Sequence, residues 1–188
     1  LYIILATIPA VVVGIALKKS GLGDSLRSVE VIAWNAVIFG ILLYVADVVG
    51  SRLKRMEDMQ LSPALVIGLA QAVALIPGTS RSGITMTAAR ALGYERAEAA
   101  RFSMLMSLPI IGVGGLYALY TLIGSDKTDF AGATLMDGVW VAALSFVTAF
   151  ACISVFMKWI SRIGMLPFML YRLALGGALL AWIFLGAH

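Results

Sequence analysis

Apolar segments of about twenty residues follow one another along this chain, and they restrict its fold more than any other feature. Hydrophobic residues make up 61% of the 188 residues and charged residues only 13%, whereas about a quarter of an average soluble domain is charged. A helix of about twenty apolar residues is long enough to cross a bilayer. We therefore predict an all-α integral membrane protein with about five transmembrane helices and one re-entrant helical hairpin.

The predicted spans are joined by short polar loops, so we expect a single membrane domain over residues 1–188. The chain opens directly on an apolar run, without an initiator Met or a basic leader; this favours a spanning helix of an N-terminally truncated chain over a signal peptide. The predicted spans are Leu1–Leu17, Glu30–Gly50, Phe102–Ile123, Gly138–Met157 and Leu166–Ala187. The predicted loops lie at Lys18–Val29, broken by Gly21 and Gly23, at Gly124–Asp137, and around Lys158 and Arg162.

One apolar run is too short to cross a bilayer and is followed by helix-breaking residues. Leu61–Ile76 carries no charge, and as a helix it would reach about 24 Å against a hydrocarbon core of about 30 Å. Pro77-Gly78 would stop that helix, and Thr79 and Ser80 are good N-cap residues for a second helix over about 81–92. We predict a re-entrant hairpin over about residues 61–92; one spanning helix with a proline kink is the alternative.

The charges on both sides of the hairpin indicate its orientation. Basic residues are enriched in cytoplasmic loops, which predicts that both ends of the hairpin lie on the cytoplasmic side and that the C-terminal His188 lies outside. The basic residues before the hairpin are Arg52, Lys54 and Arg55, and those after it are Arg90, Arg96 and Arg101. The basic residues that this orientation does not explain are Lys18, Lys19 and Arg27.

The residues after the break are suited to binding a phosphate. The first turn of a helix has unpaired N–H groups and a partial positive charge, and anions bind there. Gly78 would let a ligand approach the backbone, Ser80 and Ser82 add hydroxyl donors, and Arg81 adds a planar fork for two phosphate oxygens. Thr85 follows one turn after Arg81, which predicts that its hydroxyl lies on the same face.

Several of these residues have simpler structural interpretations. Thr79 or Ser80 could be an N-cap and nothing more, and Ser82, Gly83, Thr85 and Thr87 could be small residues for close helix packing. A structural Arg81 would need a nearby acid, and residues 61–92 contain none. We interpret Arg90 as a side chain that reaches the membrane interface and Asp47 as interfacial, with a coupling role as the alternative for Asp47. Arg172 could reach the interface or pair with an acid.

At this motif the chain resembles a known family, the bacterial undecaprenyl-diphosphate phosphatases of the bacitracin-resistance group. The resemblance covers essentially the whole chain, matched to the C-terminal two-thirds of the family. The residues that carry it are Gly68-Leu69-Ala70-Gln71, Pro77-Gly78-Thr79-Ser80-Arg81-Ser82-Gly83 and Thr85, with Phe102-Ser103, Pro109, Tyr171-Arg172 and Gly176 in the later helices.

The resemblance implies a multi-pass enzyme of the bacterial cytoplasmic membrane, built from inverted repeats, that hydrolyses undecaprenyl diphosphate to the monophosphate and recycles the lipid carrier for cell-wall synthesis. Its site would open to the periplasm and use a divalent cation, Mg²⁺ or Ca²⁺, and a homodimer is left open. By the resemblance, Arg81, Ser80, Ser82 and Thr85 are the catalytic candidates. Gly78, Thr79, Arg81 and Gln71 are the substrate-binding candidates.

The chain departs from this family in one respect. The first family signature, a glutamate-rich segment followed by serines and a histidine, is absent, and no acid lies between Asp58 and Glu95. We therefore expect the metal ligands in a missing N-terminal segment and expect this chain alone to be inactive. A transporter or flippase for a lipid phosphate or another anion is the main alternative function, and a non-catalytic scaffold is another. The net charge of +4 follows membrane topology, so we predict no nucleic-acid partner.

Overall fold

The structure, a computed structural model, describes residues 1–21, 26–124 and 135–186, and in these ranges it is almost entirely helical. The α-helices are α1 (Tyr2–Ser20), α2 (Val29–Val49), α3 (Leu61–Val73), α4 (Arg81–Ala91), α5 (Arg96–Leu105), α6 (Ser107–Gly124), α7 (Leu135–Ile163) and α8 (Leu166–Gly186), with a short 3₁₀ helix at Met56–Asp58.

The predicted all-α membrane fold is confirmed. Within the described residues, four helical stretches are long and apolar enough to cross a membrane. They are Val29–Val49, Arg96–Tyr117, Met136–Ile163 and Leu166–Gly186. The apolar part of α1, Tyr2–Leu17, is shorter.

Two predicted loops are shorter than expected. Helix α1 continues through the predicted loop start to Ser20 and ends at Gly21, whose φ is 70°. The prediction of a loop around Lys158 and Arg162 was wrong: both lie in the last turns of α7, which ends where Gly164 takes a φ of 77°. The predicted breaker Gly23, most of the Gly124–Asp137 loop and the predicted position of His188 lie outside the described residues.

The predicted span Phe102–Ile123 consists of two helices. Helix α5 begins at Arg96, and the helix is interrupted at Met106, after which α6 begins at Ser107. The cause is Pro109, which has no N–H to donate to the carbonyl of Leu105 and whose ring would clash with it. The interruption therefore precedes the proline by one helical turn.

In place of one continuous kinked helix, residues 61–91 form two short helices joined by a turn; that this hairpin is re-entrant in the membrane stays a prediction. Helices α3 and α4 pack against each other and are separated by the non-helical residues 74–80. At 1.5 Å per residue they are about 20 Å and 17 Å long, so neither can cross a core of about 30 Å.

Close backbone contacts hold the helices around α2 and the hairpin. Helix α2 packs against α4 and α8, and α1 packs against α3. A Cβ atom at Gly68 in α3 would overlap the carbonyl oxygen of Ala6. A Cβ at Gly176 in α8 would lie 2.7 Å from Cγ2 of Val37. Small residues thus let these helices approach closely, as is common in membranes.

Two hydrophobic clusters bury the remaining interfaces. One joins α1, α3, α4 and α5, and the other joins α2, α4, α5 and α7 near the start of α8. The first contains Ala6, Met59, Ala64, Ile67, Ala89, Tyr94, Ala99, Phe102 and Met106. The second contains Leu43, Met86, Ala100, Ile160 and Met165. Helix α4 contributes to both, so its position is well defined.

Candidate functional site

The N-terminus of α4 is capped by its own sequence. Ser80 is the N-cap, and its Oγ accepts a hydrogen bond from the backbone N–H of Gly83 at 3.2 Å. Its φ of 67° is the only positive φ at a non-glycine residue in the described part of the chain. The N–H groups of Arg81 and Ser82 make no hydrogen bond within the described residues. A cap on one donor therefore leaves others available to a ligand.

Arg81 stands at this helix start without a partner. Among the described residues, its guanidinium makes neither a hydrogen bond nor an ion pair. The side chain is partly buried and lines a cavity of about 220 Å³. The other residues that line this cavity are Ala10, Val11, Gln71, Ala74, Leu75 and Ile110. The cavity thus combines apolar walls from α1 and α6 with a free positive charge.

Gln71 brings a second unpartnered polar group to the same cavity. Its side chain is 2% exposed, and neither its amide nitrogen nor its amide oxygen has a hydrogen-bond partner among the described residues. A buried amide without partners destabilises a fold by about 1–3 kcal/mol. An amide and a guanidinium, both unpaired and both on one cavity, together form a site suited to a polar ligand.

Gly78 serves the packing of the hairpin turn. Its φ is 87°, and a Cβ atom here would overlap the carbonyl oxygen of Ile32 in α2. A close approach of backbone to α2 therefore accounts for glycine at this position, which we had interpreted as an approach of backbone to a ligand. The neighbouring Thr79 is 0% exposed, and its Oγ1 has no hydrogen-bond partner in the described chain.

The hydroxyl of Thr85 is engaged between helices. It donates to the carbonyl of Arg81 at 2.9 Å, with the carbonyl of Ser82 at 3.2 Å as the alternative acceptor. It also lies 2.7 Å from Oγ of Ser103 in α5. The structure therefore directs Thr85 toward α5 and does not bring its hydroxyl to the cavity that Arg81 lines. Ser82, one turn earlier, is partly buried.

Arg172 of α8 lies against the hairpin turn, which corrects our interpretation of it. Among the described residues it pairs with no acid, and its guanidinium donates to backbone carbonyl groups instead. Its Nη2 donates to the carbonyls of Gly78 at 2.6 Å and Thr79 at 3.0 Å, and its Nε donates to Ala36 at 3.2 Å. The non-helical residues 74–80 leave carbonyl groups that no helix satisfies, and a guanidinium carries enough donors for several of them.

The interpretation of Arg90 and Asp47 as interfacial residues was also wrong. The Arg90 side chain is 0% exposed and the Asp47 side chain 2% exposed, and Nε of Arg90 lies 3.1 Å from the carboxylate. Arg96 donates to the same carboxylate through Nε and Nη2, both at 2.7 Å, and the N–H of Met165 does so at 3.2 Å. Two of the basic residues that indicated topology, Arg90 and Arg96, therefore converge on this carboxylate. Arg90 also donates to the carbonyl groups of Asp47, Gly50, Ser51 and Tyr94.

The loops at this end add exposed charge pairs and one buried phenol. Arg55 pairs with Glu95 at 3.5 Å, and a parallel bridge joins the backbones of Lys54 and Tyr94. Burial, with a smaller contribution from the Asp58 carboxylate, raises the pKa of the Tyr94 phenol. The basic loops before and after the hairpin thus meet at one end, as the charge pattern predicts.

The implied divalent cation does not fit the residues at the cavity. Mg²⁺ and Ca²⁺ are bound by carboxylate and carbonyl oxygens, and the residues that line the cavity with Arg81 include no acid. Throughout residues 1–21, 26–124 and 135–186, no three His, Cys, Asp or Glu side chains lie close enough together to hold a metal. The expectation of ligands from a further N-terminal segment stays a prediction.

Sequence reasoning singled out Arg81 and Gln71, whose roles stay predictions, and missed the contacts of Arg172 with the turn. A signal for Arg172 existed: a broken helix inside a membrane leaves carbonyl groups that need donors, and Arg172 is the single charged residue of α8, Leu166–Gly186. Asn35 is a second missed residue, since its Nδ2 donates to the carbonyl of Pro77 at 2.9 Å. Only the fold brings these side chains to a turn more than forty residues away.

Comparison with known proteins assigns the chain to a family. The family model described as "Bacitracin resistance protein BacA" matches residues 1–178. The chain is similar to proteins named undecaprenyl-diphosphatase: it is 49% identical to that of Alteromonas mediterranea over 97% of this chain and 67% of the relative. It is 48% identical to that of Ruegeria pomeroyi over 95% of this chain and 65% of the relative. It is 51% identical to that of Maricaulis maris over 93% of this chain and 65% of the relative.

The chain therefore spans about two thirds of the length of the relatives it matches, from 65% to 67%. The similarity runs through both the hairpin and the helices that pack on it, since the family model covers all but the last ten residues. The resemblance seen in the hairpin motif is thus confirmed, and this chain belongs to the bacitracin resistance protein BacA family.

Proposed function

We propose that the protein hydrolyses the diphosphate of a polyprenyl lipid carrier, undecaprenyl diphosphate, and releases inorganic phosphate. The observation that carries this proposal is the unpaired Arg81 guanidinium at the start of α4, which lines one cavity together with the unpaired amide of Gln71. The name shared by the similar proteins, undecaprenyl-diphosphatase, supports the same activity. Release of phosphate requires water to cleave the P–O–P anhydride bond.

The residues of this chain would bind the diphosphate and stabilise its charge. Arg81 can donate two hydrogen bonds to phosphate oxygens, because its fork matches their geometry. The N–H groups of Arg81 and Ser82 lie in the first turn of α4, at the N-terminus, where the helix dipole favours an anion. Donors fixed before the reaction stabilise developing negative charge without reorganisation. The apolar walls from α1 and α6 would accommodate the first part of the prenyl chain.

A phosphate-release assay on the intact protein in detergent, with undecaprenyl diphosphate as substrate, tests the proposal. Hydrogen bonds to charged groups contribute about 1.5–3 kcal/mol each, so loss of the two from Arg81→Ala should lower kcat/KM by about 10²–10⁴-fold. Arg81→Lys should recover little, because an ammonium cannot make the bidentate contact. Arg162→Ala, an exposed arginine of α7, is the matched control. Activity of Arg81→Ala equal to that of the control would refute the role of Arg81.

The same preparation separates hydrolysis from transport. In sealed vesicles, a transporter or flippase would move labelled undecaprenyl diphosphate across the membrane without releasing phosphate. Phosphate release that depends on Arg81 and precedes any movement of intact substrate is the result we expect. Movement of intact substrate without phosphate release would assign the cavity to transport.

We also propose that the protein lies in the bacterial cytoplasmic membrane with its cavity open to the periplasmic side. Basic residues before and after the hairpin, among them Arg55 in the loop before it and Arg101 in the second turn of α5, lie toward one end of the helices, and positive residues next to spans are cytoplasmic. A cysteine at Arg101, in a Cys152→Ser background, should resist an impermeant maleimide in intact cells and react after lysis. A homodimer, which the resemblance left open, is tested by light scattering of the purified protein.

A further inference from the structure

Helix α8 brings a guanidinium to the hairpin turn because small residues let it approach α2. A Cβ atom at Gly40 of α2 would lie 3.1 Å from Cβ of Arg172. One turn further along α8, a Cβ at Gly176 would lie 2.9 Å from the carbonyl oxygen of Ala33. The side chain of Arg172 therefore runs between α2 and the turn, and its position is set by backbone contacts on both sides.

Arg172 donates hydrogen bonds to the carbonyl groups of the two residues that precede the N-cap of α4. Its Nη2 donates to the carbonyls of Gly78 at 2.6 Å and Thr79 at 3.0 Å. Its Nε donates to Ala36 at 3.2 Å, which ties the same group to α2. Within the described chain no carboxylate pairs with it, so its charge is balanced by carbonyl dipoles. One side chain thus fixes which way the carbonyl groups of Gly78 and Thr79 point.

The direction of these carbonyls decides where the neighbouring donors point. A peptide unit is planar, so when the carbonyl of Thr79 points to Arg172, the N–H of Ser80 points to the opposite side. Ser80 also has the positive φ of 67°, which is sparsely populated for an L-residue and persists only when its surroundings impose it. Two contacts surround this residue and account for its positive φ. One is the set of bonds from Arg172, and the other is the close backbone approach of Gly78 to the carbonyl oxygen of Ile32.

We propose that Arg172 is a positioning residue for the phosphate site: by holding the carbonyl groups of Gly78 and Thr79, it fixes the turn that leads into Ser80, and with it the start of α4 from which the N–H groups of Arg81 and Ser82 and the Arg81 side chain extend. The proposal deepens the function proposed above and rests on it. It gives the last helix a role at a distance from the cavity, since Arg172 is not among the residues that line it.

Arg172→Lys in the intact protein is the first test, because it keeps the charge and removes the planar fork. A lysine ammonium has three donors on one nitrogen but no planar fork. It therefore cannot reproduce the arrangement in which Nε bonds the carbonyl of Ala36 while Nη2 bonds that of Gly78. We expect KM for undecaprenyl diphosphate and the inhibition constant of inorganic phosphate both to rise by about tenfold, as misplaced donors weaken phosphate binding. Arg162→Lys, an exposed arginine, is the control and should leave both within about twofold of wild type.

A merely structural role gives a different result. If Arg172→Lys only reduced the folded fraction, the maximal rate would fall while KM and the phosphate inhibition constant stayed as in the wild type. That outcome, or wild-type values throughout, would overturn the proposal.

Hydrogen exchange of the intact protein gives a readout that does not depend on catalysis. We expect Arg172→Lys to raise the exchange rate of the backbone amides in residues 76–84 by about tenfold, while the exchange rates in α1 and α7 stay unchanged. The reason is that loss of the bonds from Arg172 lets this one segment open locally. If the wild type releases no phosphate, the proposed function fails and this measurement alone decides: faster exchange confined to residues 76–84 supports positioning by Arg172, and unchanged exchange there refutes it.

Discussion

Asp47→Asn is expected to destabilise the folded protein by about 3–5 kcal/mol, the usual cost of removing one partner of a buried ion pair. The substitution keeps the shape of the side chain and removes its charge. The Asp47 side chain is 2% exposed and the Arg90 side chain 0% exposed, so Arg90 would stay buried without its counter-charge. Arg96 donates to both carboxylate oxygens at 2.7 Å. An asparagine amide has only one oxygen that accepts, so one of these two bonds would be lost.

The magnitude follows from the contacts that remain. Arg90 keeps its bonds to the carbonyls of Gly50 and Ser51, at 3.0 Å and 2.9 Å, so the guanidinium does not lose all its acceptors. For a chain of this size, 1 kcal/mol corresponds to about 2–4 °C in Tm, so a loss of about 3–5 kcal/mol lowers Tm by about 6–20 °C. Thermal unfolding in detergent, followed by intrinsic tryptophan fluorescence, measures it.

Glu57→Gln is the matched control, because Glu57 is exposed and lies in the 3₁₀ helix near the same end. Its Tm should stay within about 2 °C of the wild type, as for most surface substitutions. The double variant Asp47→Asn with Arg90→Gln removes both charges and should be less destabilised than the sum of the single variants. A Tm of Asp47→Asn equal to that of the control would show that carbonyl groups alone balance Arg90, and our reasoning would be refuted.

Three further substitutions are expected to separate stability from binding, each checked by Tm and by KM for undecaprenyl diphosphate. Gln71→Leu removes a buried amide without partners and should raise stability by about 1–3 kcal/mol while KM rises; a lower Tm would show that the amide is satisfied. Thr85→Val breaks the bond to Ser103 and should lower the free energy of unfolding by about 1 kcal/mol with KM unchanged. A large rise in KM would show that the Thr85 hydroxyl takes part in substrate binding. Gly68→Ala introduces an overlap with the Ala6 carbonyl and should cost about 1–3 kcal/mol; a wild-type Tm would show that α1 can move away.

Local signals in the chain were enough to predict the hairpin. Pro77 and Gly78 end one helix, and Ser80 is a side chain that caps the next, so the break could be recognised without knowing what surrounds it. The same holds for Arg81, whose charge is unexplained by any acid nearby in sequence. These features depend on neighbouring residues, and neighbours are visible in a sequence.

The ion pair of Asp47 with Arg90 could not be predicted in this way. The two residues are separated by 43 positions. Each lies near the end of its helix, and a charged residue at such a position is consistent with a side chain that reaches the interface. Their burial depends on how closely α2 and α4 pack, which follows from the whole set of helix contacts. The same reason applies to Thr85, since only the position of Ser103 in α5 decides where its hydroxyl points.

The shortness of α4 has a consequence for how ions in solution affect the protein. Helix α4 has eleven residues from Arg81 to Ala91, so Arg81 begins about 15 Å along the helix axis from that end. Mobile ions screen exposed charges over about 10 Å at 0.1 M, and buried groups much less. Added sodium chloride should therefore weaken exposed pairs such as Arg101 with Glu98 well before it weakens the attraction between Arg81 and a diphosphate.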